Sequence, residues 1–266
     1  PPHITTPVEL TAGVPLELVY ELDMTGRTGL FIGAFMFRFG IEEKGENASE
    51  LIDEAVAAAK AAELAIVVVG TNSVVESEGY DRKDLKLPGR QDELVAAVIA
   101  PNPNTIVVIN SGSPVELPWA DQPRAVVLPY FGGQEMGHAL VDILTGVEDP
   151  GGRLPTTWGR TLAEVPVTNC TPVIGGVEYT EGLHIGYKAW IKAGTKPLYS
   201  FGHGLSYTTF SNDSIDAPSA ITGGDDLTVK VTVTNTGSRA GKHVVQVYAS
   251  RANSSVERAA IWLAGF

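Results

Sequence analysis

The sequence predicts an α/β fold: a mainly parallel sheet sandwiched by helices, flanked by incomplete β-sandwich segments at both ends. Three observations predict it. Two continuous β-branched runs, AIVVVG at 65–70 and TIVVIN at 105–110, alternate with helical patterns, as the strands of a parallel sheet do. The stretches 1–42 and 206–266 instead alternate apolar and polar residues around Gly turns, the period of antiparallel strands. Each flank holds too few strands to close a sandwich, and open edges are a hazard that proteins usually cover.

The elements follow in order. Val8 to Leu10 alternates, Thr11 to Gly13 turns, 15–23 alternates again, and 29–41 is a third run rich in Phe and Gly. From Asn47 the texture changes: 48–63 is rich in Ala, Glu and Lys with apolar residues at helical spacing. The run 65–70 ends in Gly70 and reads as a strand buried on both faces. A helix is expected over 88–100 with Pro88 at its start. Strands are expected at 105–110 and 125–128, then a helix over 132–145 closed by Gly146. Residues 147–205 are rich in Gly and Pro and read as a long irregular connection. Alternation returns at 227–235 and 243–249, as in the first strands of an immunoglobulin-like sandwich. The expected domains are therefore 1–42, 43–205 and 206–266.

Composition excludes several classes. The 266 residues carry 31 acidic and 19 basic side chains, a net charge of −12. A nucleic-acid binder needs a basic face, so none is expected as a partner. The longest apolar runs are near seven residues, against about 18–20 for a membrane span. The single Cys170 allows no internal disulfide and no cysteine zinc site. No His, Asp and Glu set has metal-ligand spacing, and neither a phosphate loop nor a GxSxG elbow occurs. No metal or cofactor is expected. The chain opens on Pro1-Pro2 without an initiator Met or a secretory leader, which implies a processed or cut N-terminus. Secreted and cytoplasmic locations stay equally open, and the sequons at Asn47, Asn169, Asn212 and Asn253 do not decide between them.

Chemistry in a parallel sheet is expected in the loops beyond the strands' carboxyl ends. The loop 71–87 is the most polar of these, with Glu76, Glu78, Asp81, Arg82 and Asp84 inside nine residues. Clustered carboxyls raise one another's pKa, which suits one of them to general-acid work. The alternative is a solvated loop with an Asp81–Arg82 or Glu78–Arg82 ion pair. Gly132 and Gly133 suit close packing at a helix start better than a phosphate cradle. His184 and His203 read as structural. Trp119 and Trp158 suit either sugar stacking or core packing.

Six segments in one order then carry a resemblance: AIVVVG, ESEGYDRKDLKLPGRQDELV at 76–95, PNTIVVINSGSPVELPW at 103–119, YFGGQEMGHALVDILTG at 130–146, DPGGRLPTTW at 149–158 and SFGHGLSYTTF at 200–210. Together they resemble the C-terminal half of glycoside hydrolase family 3 enzymes of the β-glucosidase type. Residues 1–42 resemble the end of the PA14 module that some members carry, and the tail resembles their fibronectin type III-like domain. The resemblance implies a retaining glycosidase acting on β-linked glucosides or oligosaccharides. It implies Glu78, the residue before Gly in EGYDR, as the acid/base, with Glu76 as runner-up. It also implies a TIM-barrel partner domain bearing the nucleophile, since nothing here resembles the barrel or its Ser-Asp-Trp motif. The competing expectation is a non-catalytic fragment or sugar-binding module, self-associating through apolar surface left without its barrel.

Overall fold

A computed structural model describes residues 6, 8–19, 21, 47–78, 81–168, 173 and 175–266. The chain divides into two compact units, Pro1–Leu51 and Ile52–Phe266, and each is taken by itself. In the first unit the turn expected at Thr11 to Gly13 forms, with the Val14 N–H donating to the Thr11 carbonyl at 3.1 Å. The flanking alternation does not become strand among the described residues. Val8, Leu10 and Val14 lie exposed there. The run expected at 29–41 and Cys170 lie outside the described residues.

The α/β layer contains helix α1 (Ala48–Ala61), strand β1 (Ala65–Gly70), helix α2 (Gln91–Ile99), strands β2 (Thr105–Asn110) and β3 (Ala125–Val127), and helix α3 (Met136–Thr145). Asn47 starts α1 because its side-chain oxygen accepts the Ser49 N–H at 3.0 Å. Gly146 ends α3 in the left-handed conformation, φ 74°, as a C-terminal glycine should. The two helices expected from 88 and 132 begin three to four residues later. Residues 88–90 and 132–135 form turns instead, where Gly89 and Gly133 have positive φ.

The sheet runs β1-β2-β3, all parallel, with Val67 opposite Val107 and Val107 opposite Val126. The strand β2 is central, and Val107, Val108 and Ile109 are wholly buried. Val107 and Ile109 pack with Val95, Val98 and Ile99 of α2, Leu117 and Trp119. Continuous burial on both faces holds for β2 but not for β1. There, Ala65, Val67 and Val69 are buried while Ile66 and Val68 are 49% and 61% exposed. Side chains alternate between the two faces of a strand, and the face of β1 that carries Ala65, Val67 and Val69 is the one packed into the core. Beyond Gly70 a side chain takes over strand pairing. The Gln91 amide accepts the Gly70 N–H at 2.7 Å and donates to the Gly70 carbonyl at 2.9 Å. A Cβ on Gly70 would stand 2.0 Å from the Asn110 carbonyl oxygen, so only glycine closes this register.

The connection 147–205 is less irregular than its composition suggests. It holds a 3-10 turn at Leu162–Glu164 and helix α4 (Tyr187–Ala193), bounded by Gly186 and Gly194, both at positive φ. Backbone bonds join its ends: Leu154 N–H to the His203 carbonyl at 2.8 Å and Trp158 N–H to the Tyr199 carbonyl at 2.9 Å. Four strands follow: β4 (Phe210–Asp216) pairs with β5 (Lys230–Asn235), and β6 (Val247–Ala249) with β7 (Trp262–Gly265), all antiparallel. Asp149 fastens these to the α/β layer, accepting from the Ser206 hydroxyl at 2.7 Å and the Tyr207 and Lys242 N–H groups at 2.7 and 2.9 Å. Burial pushes the Asp149 carboxyl up, but these donors outweigh it and hold it below the usual range.

The burial contrast makes a direct prediction. Ile109→Ala removes a wholly buried side chain and should cost about 2–5 kcal/mol in urea unfolding. Ile66→Ala, on the open face of β1, should cost roughly 0.5 kcal/mol or less.

Candidate active site

Parallel strands put all three carboxyl ends on one side, so the loops after β1, β2 and β3 gather there. Glu76 stands at their meeting point. Its Oε2 accepts the Thr71 hydroxyl at 2.9 Å and the Gly112 N–H at 2.8 Å. Its Oε1 accepts the Ser113 hydroxyl and the Arg82 guanidinium, the latter at 3.1 Å. Arg82 also donates to the Ser113 hydroxyl at 3.0 Å and the Pro114 carbonyl at 3.2 Å. Both charged side chains are largely buried, 13% and 14% exposed. From the third loop, the Phe131 ring lies against Gly112. Just before it, Tyr130 holds φ 55°, an uncommon and strained conformation for an aromatic residue.

These contacts revise the expected ion pair. Arg82 pairs with Glu76, not with Asp81 or Glu78, because Glu76 is the carboxylate that turns inward beside the Arg82 fork. The inward turn is built locally: Val75 and Glu76 N–H groups both donate to the Asn72 carbonyl, at 3.0 and 2.9 Å. Burial raises the Glu76 carboxyl, but the bonds from Ser113, Gly112 and Thr71 and the Arg82 charge outweigh it and hold it below the usual range.

Glu78, two residues on, is exposed. Its carboxyl has no hydrogen-bond or ion-pair partner among the described residues, and only its backbone carbonyl receives a bond, from the Ser77 hydroxyl at 3.4 Å. The two candidate glutamates therefore differ in kind. Glu76 has its lone pairs filled by four donors, while the Glu78 carboxyl has no partner among the described residues.

The other candidates resolve into structure. Trp119 and Trp158 are buried, 2% and 0% exposed, and belong to the core rather than to a sugar platform. The Trp119 indole donates to Asp92 at 2.8 Å, and burial pushes that carboxyl up. His184 pairs with Glu257 at 3.0 Å, and His203 stacks on Tyr199 with ring centres 5.3 Å apart. Burial and the nearby Arg153 charge hold the His203 imidazole below the usual range. Gly132 packs against Met136, where a Cβ would come within 2.7 Å of its side chain. Among the described residues, no group of three His, Cys, Asp or Glu side chains could hold a metal ion. Sequence reasoning missed Gly112 and Ser113. The signal was their place directly after β2, where a small residue and a hydroxyl face the acidic loop.

Polar loops from a three-stranded parallel sheet, gathered around the buried Glu76 carboxylate, define an α/β domain with a polar site beyond the carboxyl ends of its strands. Comparison with known proteins makes the assignment specific. Residues 24–207 match the model of the glycosyl hydrolase family 3 C-terminal domain; the chain belongs to that family. It is 40% identical over 244 residues to a beta-glucosidase of Rhizobium radiobacter, covering 90% of this chain and 29% of that protein. It is 39% identical over 271 residues to the probable beta-glucosidase I of Aspergillus terreus, covering 97% and 32%. The crystal structure of the Kluyveromyces marxianus beta-glucosidase in complex with glucose superposes with a TM-score of 0.77 at 39% identity. That match covers 84% of this chain and 26% of the yeast chain. The chain thus spans less than a third of the length of these curated relatives.

The Glu76 geometry has a pH consequence. Its folded pKa is lowered, so its contribution is full above the ordinary glutamate value of about 4.3 and is lost as pH falls through the lowered folded value. Glu76→Gln should lower stability by about 1.5–3 kcal/mol near neutral pH. In urea titrations at a series of pH values, that difference should shrink once pH drops below the ordinary glutamate range.

Proposed function

We propose that this chain supplies the acid/base side of a retaining β-glucosidase active site, and that Glu78 is the acid/base. The observation that carries the reading is the contrast between the glutamates. Glu78 is exposed on the loop leaving β1, its carboxyl unpartnered among the described residues, whereas Glu76 is saturated by Thr71, Gly112, Ser113 and Arg82. A general acid must have a free oxygen to present to the leaving group. Four donors on Glu76 hold it ionised and occupied.

The mechanism follows from the retaining scheme. The nucleophile comes from the barrel domain that the family resemblance implies, as an aspartate outside these residues. Glu78, protonated, gives its proton to the glycosidic oxygen as the bond from C1 breaks and the nucleophile's carboxylate bonds to C1. The leaving alcohol departs neutral. Glu78, now a carboxylate, takes a proton from water, whose oxygen attacks C1 and expels the nucleophile. The products are β-glucose and a regenerated pair of carboxyl groups. Two carboxyls about 5–5.5 Å apart are needed for this geometry, so Glu78 must project clear of its own domain. The substrates are β-linked glucosides or oligosaccharides with a terminal β-D-glucosyl unit. Within the same proposal, 1–42 is the end of a PA14-like module and 206–266 the start of a fibronectin type III-like domain.

The test exchanges this chain for the homologous 244-residue segment of the Rhizobium radiobacter enzyme and measures hydrolysis of cellobiose. The exchanged enzyme should turn over, and Glu78→Gln should reduce kcat by about 100- to 10,000-fold. An inactive exchange, or a Glu78→Gln variant with unchanged kcat, would contradict the reading.

A further inference from the structure

We propose that Glu76 is a positioning residue whose carboxylate ties the loops after β1 and β2 together and so fixes where Glu78 stands. The inference rests on the reading of Glu78 as the acid/base. Its motivation is a saturated carboxylate two residues away from an exposed one. Only Ser77 separates an immobilised group from a free one, so the freedom of Glu78 relative to the sheet is that of a short backbone link plus its own side chain.

The clamp holds both sides of that link. Thr71, directly after β1, binds one carboxylate oxygen, and Arg82, four residues beyond Glu78, binds the other. Gly112 and Ser113 anchor the same two oxygens to the end of β2. Arg82 extends the tie to the Pro114 carbonyl at 3.2 Å. Among the described residues, a further bond between the two loops runs from the Glu116 N–H to the Leu85 carbonyl at 2.7 Å. That contact lies seven residues from Glu78.

Space at the clamp is as restricted as its hydrogen bonding. A Cβ added at Gly112 would stand 2.9 Å from the Glu76 Oε2 and 2.8 Å from the Phe131 ring. Either the ring or the carboxylate must then move. Gly112 thus sets the position of Glu76 as Glu76 sets the backbone that leads to Glu78. A catalytic group displaced by about 1 Å can lose on the order of 100-fold in rate, so this fixation has a kinetic consequence.

The experiment must separate positioning from plain stabilisation. Proton donation matters most for a poor leaving group, the sugar alkoxide of cellobiose, and least for a good one, 4-nitrophenolate. In the exchanged enzyme, Glu76→Gln keeps the side-chain volume but sets an NH2 group against the clamp's donors. Its kcat on cellobiose should fall by up to about 100-fold, with a clearly smaller fall on 4-nitrophenyl β-D-glucoside and an unchanged inhibition constant for glucose. Gly112→Ala, with Glu76 intact, should show the same leaving-group split. In the full 266-residue chain, trypsin should cut after Arg82 and Lys83 faster in Glu76→Gln than in the wild type, while far-UV circular dichroism stays the same.

Three other results are decisive. Equal losses on both substrates, or none, with Glu78→Gln crippled, would overturn the positioning role and leave the acid/base reading standing. Unchanged cleavage after Arg82 and Lys83 would also overturn it, because the clamp would then not restrain the loop. Full activity in Glu78→Gln would instead overturn the reading on which the proposal rests.

Discussion

The bidentate load on the Glu76 carboxylate is the constraint on which the loops beyond β1 and β2 depend. One buried anion is held by a threonine at the end of β1, a backbone N–H and a serine after β2, and an arginine from the far side of its own loop. Burying a carboxylate costs several kcal/mol unless each lone pair finds a donor. Here all the donors are supplied, and they come from two different loops. The arrangement therefore works only when β1 and β2 are in register and both loops have folded. It converts the regular pairing of a parallel sheet into a defined position for residues that are not part of the sheet.

That defined position gives two neighbouring glutamates opposite chemistry. Glu76 has charge, burial and four donors, and its proton affinity is low. Glu78 has exposure and no partner among the described residues. Environment, not residue type, sets the two carboxyls apart. The rest of the domain supports this with rigidity. The central strand β2 is buried on both faces, the Gln91 amide continues the hydrogen bonding of β1 at Gly70, and Asp149 fastens the antiparallel strands to the α/β layer.

Much of this was legible in the sequence. Both β-branched runs became β1 and β2 at the expected residues, and Gly146 closes α3 as its position after the apolar pattern implied. The acidic loop stood out by its polarity and its place after a strand, and it folds around the Glu76 cluster. Other features were hidden because they depend on distant residues. The Arg82 partner could not be chosen by spacing, since Glu76, Glu78 and Asp81 are all near it in sequence and only the inward turn at Asn72 selects Glu76. The open face of β1 was invisible because a strand buried on both faces and one buried on a single face share the same β-branched composition. Helix α4 was missed because it is seven residues long and enclosed by glycines in a region of turn-forming composition.

The measurement that tests the account most directly is azide rescue in the exchanged enzyme, comparing Glu78→Ala with Glu76→Ala on 4-nitrophenyl β-D-glucoside. A good leaving group lets the glycosyl-enzyme form without an acid, and azide attacks C1 without needing a base. If Glu78 is the acid/base and Glu76 only positions it, azide restores turnover in Glu78→Ala and yields β-glucosyl azide, while Glu76→Ala gains nothing comparable. Rescue of Glu76→Ala with no rescue of Glu78→Ala would reverse the roles of the two glutamates and contradict the account.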